Sequence, residues 1–127
     1  MSSLQTPLHK VQGLGPSHSC TGHFWRQRVT AVMLIPLGLW FLYAVLGLAV
    51  TNEVVILSFL SKPWNALLMA AFVVTLLYHM TLGLQDIVDD YVHTAGMKVF
   101  LRIAILAAAI AVGAVSLFAL LRIAANT

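Results

Sequence analysis

The charged residues of this chain are placed so that three long runs contain none. Seven bases and four acids are present, and all of them lie outside residues 30–50, 64–84 and 103–121. A hydrocarbon core about 30 Å thick is crossed by roughly 20 apolar residues rising about 1.5 Å each, so every run is long enough to span it. In lipid each backbone amide must find its partner within the segment, which makes each span a helix. The pattern predicts an all-α, multi-pass membrane protein with three transmembrane helices. Composition excludes the soluble alternative, since 61% of residues are apolar and 9% charged, with a mean hydropathy of +0.94. Soluble domains carry about 25% charged residues, and a soluble fold of this chain would expose apolar patches that drive aggregation. A length of 127 residues makes one domain. Seven bases do not make a nucleic-acid footprint, and lone Cys20 allows neither an internal disulfide nor a cysteine-only metal site.

The bases set the direction of insertion. Lys10, Arg26 and Arg28 precede the first span, Lys98 and Arg102 lie between the second and third, and the other side has only Lys62 and Arg122. The positive-inside bias therefore puts the N-terminus and second loop in the cytoplasm and the C-terminus outside. Residues 1–23 read as an irregular cytoplasmic tail, with Gly13, Gly15, Pro16 and Ser17 as coil signals, and 24–127 as a three-helix membrane domain. No apolar core precedes Arg28, so the tail is not a cleavable signal peptide and the first span reads as an uncleaved signal-anchor. Pro36 removes a backbone donor and is expected to kink that span. Trp25, Trp40, Tyr43 and Trp64 include interfacial anchors. The first loop, 51–63, carries no recognisable chemistry.

The informative stretch starts inside the second span and runs into the loop beyond it. His79 is the one strongly ionisable side chain within any span, about 7 to 8 Å below the span's inner end at helical rise. A polar group at that depth is costly and meets a partner, a cavity or a cofactor. Three readings follow: a hydrogen bond to a neighbouring helix, an axial ligand to haem iron, or a proton relay. Gly83, one turn on, lets either a helix or a flat ring come close. If the helix continues past Leu84, Asp86 and Asp90 share that stripe. Asp86, Asp89 and Asp90 also read as a solvated loop, Tyr91 as an interfacial anchor, and His9, His18, His23 and His93 as solvated.

The spacing His79-x-x-x-Gly83, followed by Asp90-Tyr91-Val92, resembles the hydrophobic membrane anchor (D-type) subunit of bacterial succinate dehydrogenase. Arg28-Val29-Thr30-Ala31 at the head of the first span is similar to that family's Arg-x-Thr-Ala, and the likeness covers about residues 24–123. It implies a second three-span membrane subunit, a cytochrome b subunit, with one b-type haem held between the two chains. One axial histidine comes from each, which makes His79 this chain's ligand. It also implies docking of iron–sulfur and flavoprotein subunits on the cytoplasmic face, and ubiquinone as the substrate reduced where they meet the membrane. There the Tyr91 hydroxyl donates to a quinone carbonyl and Asp90 supports proton delivery. Three acids at 86, 89 and 90 leave open which carboxylate serves the site, and Arg28 contacts either a haem propionate or an anionic membrane lipid.

The expected function is therefore that of a membrane anchor of succinate:ubiquinone oxidoreductase (respiratory complex II) in a bacterial inner membrane. The sequence has no flavin motif, no iron–sulfur cysteines and no nucleotide loop, so it has no catalytic residue for succinate oxidation, which belongs to another chain. Two rival readings stand beside it: a haem-free structural anchor, and a small proton-conducting subunit using His79 and the loop acids.

Overall fold

A computed structural model describes residues 18–126, with side chains from residue 21 onward. These residues form four helices: α1 (His18–Leu48), α2 (Glu53–Ser61), α3 (Pro63–Tyr91) and α4 (Ala95–Ala125). Three of them are long and apolar enough to cross a membrane, their most apolar 18-residue windows having mean hydropathies of 2.2 within Thr21–Leu48, 2.0 within Pro63–Tyr91 and 2.6 within Ala95–Ala125. The all-α, three-span fold is thus the observed one. Helices α3 and α4 outrun their charge-free stretches, because such a stretch marks what lipid can cover and a helix goes on propagating into the interface. The boundary of the irregular tail shifts for a related reason. Its coil signals end at Ser17 and α1 already begins at His18; residues 1–17 lie outside the described residues. Pro36 is inside α1, and the helix is continuous through it.

The first loop holds a helix that the apolar-run criterion does not see. Asn52 caps it, its side-chain oxygen accepting from the Val55 amide at 3.2 Å, and Glu53 adds a favourable charge in the first turn. Pro63 then opens α3 at a position where the missing N–H costs nothing. Asn65 Nδ2 donates to Phe59 O at 2.9 Å, tying α3 back to α2.

Helix α3 is the middle element. α1 packs on one side of it and α4 on the other, while α1 and α4 scarcely meet. The core is accordingly thin. Its buried apolar residues are Ala44, Leu82 and Val88, and its buried polar ones are Thr30, Thr75 and Thr81. Lipid tails are as apolar as leucine, so close backbone approach and hydrogen bonding, more than burial, hold such helices together. Between α3 and α4 that approach is made at Gly113, where a Cβ would lie 3.3 Å from Leu77 Cδ1. Between α1 and α3, Phe41 stacks on Phe72 with ring centroids 4.5 Å apart and 17° between planes. Trp40 stacks on Phe59 at 6.4 Å and 21°. None of the most hydrophobic window of α4 is buried within the chain, so its surface is left to lipid or to another subunit.

The Phe41–Phe72 stack gives a direct test of the α1–α3 packing. Phe41→Leu and Phe72→Leu should each cost about 0.5–1.5 kcal/mol beyond lost area, read by denaturant unfolding in detergent. The double variant should cost clearly less than their sum, because both remove one contact.

Candidate functional site

Continuation of α3 to Tyr91 puts His79, Gly83, Asp86 and Asp90 on one stripe, as three- and four-residue spacings require. Helix α1 runs antiparallel against this stripe and answers it with His23, Gln27 and Thr30, which share a face at the same spacing. Three rungs result. At the deepest, Thr30 Oγ1 is 2.9 Å from His79 Nδ1. The hydroxyl also lies 2.8 Å from Arg26 O and 3.0 Å from Gln27 O. At the middle rung Gly83 faces the Gln27 side chain, and a Cβ there would stand 3.4 Å from Nε2. At the outermost, His23 Nε2 lies 2.6 Å from Asp86 Oδ1. That contact has the distance of an ion pair without the alignment of a directed hydrogen bond.

His23 is thus not a freely solvated residue. Its side chain is 27% exposed and meets Asp86. Residues far apart in sequence give no sign of helix register. The polar stripe His23–Gln27–Thr30 at helical spacing was the available signal. Gln27 Oε1 is buried without a hydrogen-bond partner among the described residues. Such an orphan acceptor costs about 1–3 kcal/mol unless water or a group from outside the chain meets it.

The three acids separate into different environments. Asp86 goes to His23. Asp89 binds across to α4, forming an ion pair with Arg102 and lying 3.8 Å from Lys98 Nζ, while Lys98 also donates to Asp89 O at 3.3 Å. Asp90 is exposed and has no side-chain partner among the described residues. Tyr91 beside it is 80% exposed. Arg28 lies over the Phe24 ring, 4.9 Å from its centroid, and is exposed. Arg26, read in the sequence only as an orienting base, donates from Nε to Gly22 O at 3.2 Å and reaches Tyr78 Oη at 3.5 Å.

His79 is half-buried, and its Nε2 has no hydrogen-bond partner among the described residues. One ring nitrogen is therefore fixed by a neighbouring helix while the other keeps its capacity to bind. Comparison with known proteins places the chain in a family. The sequence profile described as "Succinate dehydrogenase/Fumarate reductase transmembrane subunit" matches residues 2–119. The chain belongs to that family. It is 32% identical over 96 residues to the succinate dehydrogenase hydrophobic membrane anchor subunit of Rickettsia bellii, covering 76% of this chain and 77% of the relative. The protein of that name in Paracoccus denitrificans is 33% identical over 86 residues, 68% of this chain and 67% of the relative. The succinate dehydrogenase membrane anchor subunit of Reclinomonas americana is 31% identical over 74 residues, 56% and 62% of the two chains. No solved structure gives a significant match. The chain is thus a membrane anchor subunit of the succinate dehydrogenase type, as its resemblance implied.

In this anchor Gly83 lies against the end of the Gln27 side chain. A methyl group at 3.4 Å from Gln27 Nε2 is in ordinary contact, so Gly83→Ala should leave thermal stability within about 1 kcal/mol, helped by better helix propensity. Gly83→Leu should push the Gln27 side chain and separate the rungs. Thermal melting of the two variants in detergent checks this.

Proposed function

We propose that this chain anchors a succinate dehydrogenase to a bacterial inner membrane, supplies His79 as one axial ligand of a shared b-type haem, and contributes Tyr91 and Asp90 to ubiquinone reduction. The observation that carries the haem reading is His79 itself. It lies in a membrane-spanning helix with Nδ1 held by Thr30 and Nε2 unengaged, and a neutral imidazole with one free nitrogen is the donor that haem iron takes. Bound there, the haem supplies one-electron transfer. This chain offers one histidine within a span, so a haem held there would take any second protein ligand from a partner, a cytochrome b subunit. The iron–sulfur and flavoprotein subunits that carry succinate oxidation complete the complex.

The quinone reading rests on what the acids and Tyr91 do in the fold. Asp86 and Asp89 are committed to His23 and to the α4 bases, which leaves Asp90 as the carboxylate free to serve a site. Tyr91 presents its hydroxyl at the end of α3, where a quinone headgroup needs a donor while its tail stays in lipid. Arg28 remains a candidate for a haem propionate or an anionic lipid. One observation favours a second reading, the haem-free structural anchor: the Thr30–His79 contact is itself a helix–helix hydrogen bond. The readings part at Nε2, which the structural anchor leaves idle.

Three measurements test the proposal. Bases at the His23–Tyr91 end put that end in the cytoplasm, so a reporter fused after Thr127 should behave as external; cytoplasmic activity would overturn the orientation. The purified complex should show a reduced-minus-oxidised b-type α-band that His79→Leu weakens or abolishes, because leucine offers iron no lone pair. An unchanged band would remove His79 as ligand. Tyr91→Phe keeps the ring and removes a hydrogen bond worth about 0.5–1.5 kcal/mol net. Turnover with ubiquinone should fall several-fold, while succinate oxidation with a soluble artificial acceptor and the haem spectrum stay normal. Equal loss in both assays would point to failed assembly, and an unchanged quinone rate would return Tyr91 to an interfacial anchor.

A further inference from the structure

Thr30 is 7% exposed, and its hydroxyl oxygen stands among three groups: His79 Nδ1 at 2.9 Å, Arg26 O at 2.8 Å and Gln27 O at 3.0 Å. The hydroxyl has one proton to give and two lone pairs to accept with. If Nδ1 of His79 carries a hydrogen, the ring donates to Oγ1 and Oγ1 donates to the α1 backbone, so the same atoms make two hydrogen bonds. If Nδ1 is bare, the single hydroxyl proton goes either to the ring or to the backbone, and only one bond forms. The extra bond favours the Nδ1–H tautomer by roughly two- to twelvefold, and at this depth no bulk water is present to even the balance.

We infer that Thr30 is the positioning residue of this site: its hydroxyl, locked by its own backbone, accepts the Nδ1–H of His79 and so leaves the imidazole lone pair on Nε2. The bond fixes both the tautomer and the ring plane, and it makes Nε2 a stronger donor by drawing on the Nδ1 proton. The back-bond to α1 matters as much as the contact to the ring, since it consumes the hydroxyl proton that would otherwise compete. Threonine meets these demands with one oxygen and a branched carbon that restricts its rotamers. The tautomer follows from the geometry alone; its consequence for iron rests on the haem reading above.

The test uses the assembled complex with Thr30→Val, which keeps the shape and loses the oxygen, and Thr30→Ser, which keeps the oxygen. Loss of an outer-shell partner weakens metal binding by about 10- to 100-fold, so haem should pass to an apo-globin scavenger correspondingly faster from the valine variant. The reduced fraction of haem at a fixed potential should also rise, because a less basic imidazole favours the oxidised iron less; tenfold in that ratio is about 59 mV. Serine should restore both readouts. Haem retention and reduced fraction unchanged in Thr30→Val would overturn the inference. Should the valine variant fail to assemble, Thr30→Ala against Thr30→Ser makes the same comparison of one oxygen. Should the native complex contain no haem, the haem reading falls by itself. Histidine 15N NMR of the complex, with His79→Gln to assign the signal, then decides the tautomer: a proton on Nδ1 supports the inference and a proton on Nε2 overturns it.

Discussion

A bilayer interior offers no hydrogen-bond partner to a polypeptide, and this anchor is shaped by how it meets that constraint. Helical segments satisfy the backbone internally, which leaves the few polar side chains at membrane depth to find one another. Several do so along a line where α1 faces α3. Thr30 meets His79, Gln27 lies against Gly83, and His23 meets Asp86. The line grades from a hydroxyl–imidazole hydrogen bond deep in the span to a histidine–carboxylate contact near the end of α3, the order in which the cost of a polar group falls. With little hydrophobic force between helices in lipid, these rungs and the Phe41–Phe72 stack do much of the work of holding α1 on α3.

The thinness of the core belongs to the same picture. With α3 in the middle and α1 and α4 on either side, the chain closes no bundle of its own, and Leu82, Val88 and Ala44 are its buried apolar residues. A layer of three helices presents two broad apolar faces. In a membrane anchor that is a suitable surface for a second membrane subunit, and it is also why an isolated chain of this kind draws little stability from its interior.

Much of this was legible in the sequence because it depends on runs and periods. Charge-free stretches marked the three spans, and the spacing of His79, Gly83, Asp86 and Asp90 foretold one stripe once α3 continued past Leu84. Other features depend on relations between elements, which no local pattern encodes. The fates of Asp86 and Asp89 are set by the register of α3 against α1 and α4, so three adjacent acids looked interchangeable until His23, Lys98 and Arg102 were seen beside them. The short helix α2 escaped notice because it does not span, although Asn52 and Glu53 announce its start. Thr30 stood in the sequence as part of a motif; only the fold shows what its hydroxyl touches.

Helix α3 runs unbroken from Pro63 to Tyr91, and it carries both His79 and Tyr91. The two are therefore held apart by covalent arithmetic: twelve helical steps separate them by about 18 Å along the axis and by about 120° around it. A group gripped at His79 and one gripped at Tyr91 approach this rod from different sides and at different depths. If the roles proposed for these residues hold, the helix serves as a ruler, keeping the two at a fixed spacing without relying on any loop to hold it. Adding or removing a single residue between them would swing Tyr91 through about 100° relative to His79.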